Sequence, residues 1–281
     1  MTLKKSPSID TTEITCAIIK STINNQEDTG MFYAISGLNG DYDAYKRVLA
    51  KLRFKALDDI EEEDIMNEEA VINTLEGEDV LYVLGNIIGA GDGSMKILQD
   101  MVGRDNVIAI AGDNELRITQ SLRALDDHIR STGDVPPAAI MDKITSMLGE
   151  ELSGAVKEFV ELEDDDREDI LDYLDEISEE AFLEVMMARK KYVMVHAGIR
   201  NFDPDKELDE YEAEDFTSEP ADLDKTYYRN RTLVVGHVPT TELGGDGRIV
   251  KKNNNIAIDC GCGRGGQMGI FCLNNGTEMY V

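Results

Sequence analysis

Five short apolar runs each stop in a loop of small or histidine residues, and this repeated punctuation constrains the fold more than any other feature of the chain. The runs cover 31–36, 80–84, 107–111, 192–196 and 232–236. Each is too short for a buried helix, is rich in Val, Ile, Leu or Tyr, and is closed by Gly or His, the pattern of a strand covered on both faces. The first three alternate with helical periodicity. Over 41–51 apolar residues recur at Tyr45, Val48 and Leu49, and Ser94 opens a second helix over 94–101 as its N-cap. Strand–loop–helix units in series predict an α/β sheet with its chemistry at the strand ends.

Between the third and fourth runs, residues 113–190 read as largely helical. The stretch 161–184 is acidic, yet Ile170, Leu171, Leu174 and Ile177 fall on one helical face, which predicts an amphipathic helix with a charged outer side. Residues 201–226, with Pro204 and Pro220, read as a long surface loop. Further strands are expected over 256–259, 268–273 and 277–281, the last two joined through Asn274-Asn275-Gly276, a hairpin signal. Residues 1–30 read as an extension and 31–281 as one domain, including the acidic helical region 150–190.

Acidic side chains number 57 against 28 basic ones, a net charge of −29. That balance speaks against nucleic acid and anionic membrane surfaces as partners, and leaves a basic protein as one that the acidic face would attract. Four cysteines in 281 residues do not make a disulfide scaffold, and no apolar run is long enough to span a bilayer. A cytoplasmic protein is expected. Cys260 and Cys262 read as ordinary buried thiols, and His128, within a helical stretch, as structural.

The loops closing the five runs are Ser36-Gly37-Leu38-Asn39-Gly40, Gly85-Asn86-Ile87-Ile88-Gly89-Ala90-Gly91, Gly112-Asp113-Asn114-Glu115, His196-Ala197-Gly198 and Gly236-His237-Val238-Pro239. In order, spacing and flanks they resemble the motifs of the calcineurin-like metallophosphoesterases, phosphoprotein (serine/threonine) phosphatase type: Asp-x-His-Gly, Gly-Asp-x-x-Asp-Arg-Gly, Gly-Asn-His-Glu, a strand ending His-Ala-Gly, and Gly-His-Thr-Pro. The resemblance covers about 31–281. It implies an α/β fold, a four-layer α/β/β/α sandwich with two mixed β-sheets, and a two-metal site at the sheet edges.

The motifs are degenerate. The resemblance puts the first metal's Asp and His on Gly37 and Asn39, the bridging Asp on Asn86, a further Asp and a phosphate-binding Arg on Gly89 and Ala90, and the general-acid His on Asn114. A second phosphate-binding Arg falls on Pro220. His196 and His237 survive as unaltered ligand residues and Asp113 stands where the family has an Asn ligand; the three are candidate ligands for one divalent metal (Mn, Fe or Zn), with Asn86 as a weak fourth, and Arg264 is a candidate substrate contact. Hydrolysis in this family needs the metal-bound nucleophile, cationic clamps and an acid together, so their loss predicts a catalytically impaired pseudophosphatase that binds a phosphorylated ligand or a partner. The alternative is a slow phosphoesterase working with a mononuclear site.

Overall fold

The computed structural model describes residues 30–54 and 79–281. Of the expected extension over 1–30, residues 1–29 lie outside the described residues. Two five-stranded mixed sheets face each other. The first has the order β10-β9-β1-β2-β3, in which β1 (Phe32–Ile35), β2 (Val80–Leu84) and β3 (Val107–Ile110) run parallel, and β9 (Gly269–Cys272) is antiparallel to β1 and to β10 (Glu278–Tyr280). The second has the order β4-β5-β6-β8-β7. Its parallel centre is β5 (Lys190–Val195), β6 (Arg231–Val235) and β8 (Asn255–Ala257), and its antiparallel edges are β4 (Phe182–Met187) and β7 (Val250–Lys252).

Strand alternation sorts the side chains into three cores. Phe32, Ala34, Tyr82 and Leu84 meet Tyr192, Met194, Val234 and Ile256 between the sheets. The other face of the first sheet is covered by helices: α1 (Tyr42–Leu52), α2 (Ser94–Val102), α3 (Asp113–Thr132), α4 (Ala138–Leu148), α5 (Glu150–Val160) and α6 (Asp164–Glu179). Ile170, Leu171, Leu174 and Ile177 of α6 are buried there while its acids stay outside, as the periodicity predicts. The outer face of the second sheet, Val193, Val195, Leu233 and Val235, is covered by the 199–223 segment, whose helical content is one 3-10 turn and the five-residue α7 (Ala213–Thr217). The fold is therefore the expected sandwich with a thin fourth layer. Among the described residues no helix is long and apolar enough to cross a membrane.

Two local expectations are corrected. Residues 182–187 belong to a strand, not to the acidic helix. Leu183, Val185 and Met187 point inward and Glu184 and Met186 outward, the period-two alternation that competes with the helical reading of this stretch. Ser94 is the first helical residue, not the N-cap. Gly93 holds the cap position, and the Ser94 hydroxyl accepts instead from the Gly89 amide at 3.4 Å.

All six parallel strands aim their C-terminal ends at one edge of the sandwich, and the loops expected to carry chemistry converge there. Left-handed backbone at three non-glycine residues of those loops, Asn39 (φ 50°), Asn86 (φ 50°) and His237 (φ 64°), marks where the chain turns sharply to reach the edge.

Candidate metal centre

His196 follows β5 and is fully buried. Its Nδ1 lies 2.8 Å from the Leu84 carbonyl, which can only accept, so Nδ1 carries the proton and Nε2 presents a lone pair. His237, on the turn after β6, places Nδ1 3.0 Å from that Nε2. Asp113 opens α3, and its Oδ1 is 3.2 Å from His196 Nε2 and 3.4 Å from His237 Nδ1. Ligand atoms held about 2.1 Å from one ion at tetrahedral to octahedral angles lie about 3.0–3.5 Å apart. The three separations fit that sphere, and these residues form the one group of metal-ligand type among the described residues. Burial works against the Asp113 charge, but the two imidazoles beside it outweigh burial and hold its carboxyl far below the usual carboxylate range.

Asn86 completes this side. Its Nδ2 donates to Asp113 Oδ1 at 3.3 Å, so a metal would use its carbonyl oxygen only after the amide turned over. Its backbone is fixed by Glu115, a fully buried carboxylate that accepts from the amides of Asn86 (3.1 Å), Ile88 (2.8 Å) and Gly112 (2.7 Å). Burial pushes the Glu115 carboxyl up, and the amide donors pull against it. The second and third loops are thus tied through one side chain.

On the other side of the cleft, two motif positions are closed to side chains. The first loop is zipped to the second by backbone bonds from the Asn39 amide to the Asn86 carbonyl (2.6 Å), from Gly40 to Ile87 (2.8 Å) and from Gly91 to Asn39 (2.8 Å). Gly37 has φ +79°, and a Cβ there would sit 2.6 Å from the Asp259 carboxylate. At Gly89 a Cβ would sit 2.6 Å from the Asn39 Cα. Gly37, where the resemblance places the first metal's Asp, and Gly89, where it places a further Asp, are thus both tight against their neighbours. Asp259 occupies the space beside Gly37. It is 3% exposed, its Oδ1 accepts from the Gly261 amide at 2.8 Å, and burial pushes its carboxyl up.

What remains open is a cleft of about 390 Å³ lined by Asn39, Asn86, Asp113, Asn114, His237 and Asp259, with Ala90 on its wall. The Asn114 amide donates to the Ile88 carbonyl at 3.0 Å, a structural bond in the place of an acid. Arg264 lines the mouth and is paired with Glu242. Pro220 is exposed and does not line the cleft. Its neighbour Ala221 donates to the Ala197 carbonyl at 3.0 Å, so this segment braces the loop that carries His196. Three charged cleft residues, Arg117, Glu151 and Asp259, were not predicted from the sequence. Arg117 is one helical turn beyond Asn114 and pairs with Glu151 at 3.3 Å. Asp259 lies at the end of a strand that the sequence does show, and an acid at a strand terminus was the available signal.

The two nearby cysteines serve different cores. Cys260 is buried between the sheets and Cys262 on the helix side, so they cannot chelate one ion together. Burial raises their thiols to about 12 and about 11. Native protein at pH 8 is therefore expected to leave both unmodified by iodoacetamide over an hour, and denatured protein to react fully, as mass spectrometry would read. Rapid native labelling of Cys262 would show that the cleft wall opens.

No family model and no curated relative matches the sequence. Solved structures do match in fold. A crystal structure described as "a putative diadenosine tetraphosphatase" aligns with a TM-score of 0.57 at 14% identity, over 92% of this chain and 95% of the other. A metallophosphoesterase from Sphaerobacter thermophilus aligns at TM-score 0.47 and 14% identity over 90% of this chain and 88% of that one. A protein serine/threonine phosphatase from Saccharomyces cerevisiae aligns at 0.46 and 9% identity, over 94% and 83%. The fold is the metallophosphoesterase sandwich that the loop motifs imply.

Proposed function

We propose that this chain, with its metallophosphoesterase fold, is a catalytically impaired phosphatase-like protein that holds one divalent metal and through it binds a phosphorylated ligand. The observation that carries the reading is the closure of the first-metal half. Charged and imidazole ligands are missing there, and the space a side chain at Gly37 would need is taken by Asp259. The second half keeps a two-imidazole, one-carboxylate donor set at ligand spacing, suited to Mn, Fe or Zn.

A metal held by Asp113, His196 and His237 would supply a Lewis-acidic positive charge toward phosphoryl oxygens. The chain's own contribution is mostly to binding. Arg117 and Arg264 are the cations at the cleft, and each already faces a carboxylate, so neither is a free clamp for phosphate. Asp113 and Glu151 add negative charge. A dianionic phosphate entering the metal-free cleft meets net repulsion, which a bound dication reverses. The N-terminus of α3 favours an anion in the same direction. The place of the family's general acid is held by Asn114, which is neutral and spends its amide on Ile88. General acid catalysis alone is commonly worth about 10²–10⁴-fold.

Phosphate binding should therefore require metal. Calorimetry with inorganic phosphate should show saturable binding to protein loaded with Mn²⁺ and none after chelation or in His237→Ala. Turnover of p-nitrophenyl phosphate should stay within a few-fold of a protein-free Mn²⁺ control. Saturable turnover near roughly 10 s⁻¹, an ordinary enzymatic rate, would establish the active mononuclear reading instead. Asp113 stays ionised to well below the usual carboxylate range, so mild acidification leaves this ligand charged.

A further inference from the structure

The opposite end of the second sheet carries a feature that the metal cleft does not use. A groove of about 530 Å³ opens at the N-terminal ends of β5, β6 and β8. Seven of the chain's 28 lysines and arginines line it and no acidic side chain among the described residues does, in a chain whose acids outnumber its bases two to one. Arg189, Lys190 and Lys191 come from the β4–β5 turn and the strand after it. Arg229 and Arg231 lead into β6, and Lys251 and Lys252 lie on β7.

The arrangement carries an electrostatic cost in the empty protein. Lys191 and Arg231 are direct register partners on adjacent parallel strands, where like charges disfavour pairing. Three of the cations are balanced at the rim: Arg231 by Glu184 at 2.6 Å, Lys251 by Glu278 at 2.7 Å, and Lys252 by Asp224. Among the described residues Arg189, Lys190, Lys191 and Arg229 take part in no ion pair.

The cations are also held in place. Both hairpin turns at the groove use two successive left-handed residues, Ala188-Arg189 (φ 49° and 67°) and Asn253-Asn254 (φ 49° and 63°), the tight two-residue connection that matches strand twist. The Asn254 amide donates to the Tyr228 carbonyl at 3.0 Å, and the Asn255 amide to the Lys225 carbonyl at 2.7 Å, which fixes the approach to β6. Tyr192, Ile256 and Phe271 give the groove an apolar floor.

We propose that this groove is a second, non-catalytic anion site that takes a compact oligophosphate, a small molecule with two or more linked phosphate groups. Its volume lies within the usual range of small-molecule sites. Several cations on a rigid frame match closely spaced phosphate charges better than a single phosphate, which needs only one or two of them. Long polyanions are disfavoured because they extend beyond the groove into the field of a chain with net charge −29, whereas a compact ligand stays within about one Debye length of the cations. Six residue steps along β5 lead from Lys190 to His196, about 20 Å of strand, so the site is remote from the metal cleft and does not depend on it.

The test is calorimetry on the full-length protein with sodium tripolyphosphate, alongside orthophosphate and a penta-glutamate peptide. Tripolyphosphate is expected to bind at least tenfold more tightly than either comparison ligand. Its affinity should fall at least tenfold in Lys191→Ala/Arg229→Ala, a pair of exposed positions whose loss leaves the cores intact. It should be unchanged in His196→Ala, which separates this groove from the metal cleft. Binding that survives the double substitution, binding lost with His196, or equal affinity for the glutamate peptide would each overturn the assignment.

Discussion

Gly37→Asp, the substitution that puts back the first metal's carboxylate, is expected to unfold the site rather than repair it. The residue sits at φ +79°, which a side chain beyond Cβ adopts at a cost on the order of 1–3 kcal/mol. Its Cβ would lie 2.6–2.8 Å from three atoms of the Asp259 carboxyl group, and that group is anchored by the Gly261 amide and almost fully buried. The variant must therefore move a strand end or bury two carboxylates in contact. A loss of roughly 3–5 kcal/mol is expected in urea denaturation, with no gain in bound metal. Adding Asn39→His, Asn86→Asp and Asn114→His should not rescue it, because none of the three removes the Asp259 carboxylate from the Gly37 side chain's place. Pairing Gly37→Asp with Asp259→Gly should recover part of the stability. A stable single variant that binds additional metal would show that the first loop opens readily.

Glu115→Ala should be comparably damaging for the opposite reason. It creates a hole instead of a clash. The carboxylate is the acceptor for three backbone amides in two loops, all in buried surroundings. Removing it strands three donors at about 1–3 kcal/mol each, and partial entry of water brings the sum to roughly 3–6 kcal/mol. The loops that position Asn86 and Asp113 lose their tie, so metal affinity should fall along with stability. Glu115→Gln keeps an acceptor on one side and turns an amide group toward a donor on the other, which predicts an intermediate loss. Thermal and urea denaturation of the three proteins, with metal titration of those that fold, would check the order. If Glu115→Ala kept wild-type affinity, Glu115 would not be what holds the loops.

The contrast between these two residues shows what was legible in the sequence. The strands were, because both faces of each sheet are covered and continuous apolar runs ending in Gly or His have no other comfortable fold. Asp113, His196 and His237 were legible as candidates, since each follows a strand whose end the pattern marks. The 182–187 strand was missed because it follows directly on an amphipathic helix, and six residues carry too little alternation to override that period. The closure of the first-metal half was not legible. A glycine in place of an aspartate reads as a missing donor. That the gap is filled by Asp259, more than two hundred residues away, is a fact of packing. Arg117 and the basic groove were hidden for the same reason, since the groove assembles cations from three separate stretches of the chain.

Metal stoichiometry is the direct measure of whether one site or two can fill. Protein purified without chelators, loaded with excess Mn²⁺ or Zn²⁺, freed of unbound ion by desalting and measured by inductively coupled plasma mass spectrometry should carry one equivalent per chain. It should carry essentially none in His196→Ala, a residue fully buried at the centre of the donor set. Two equivalents per chain in the unaltered protein would contradict the closed half-site and restore a binuclear reading.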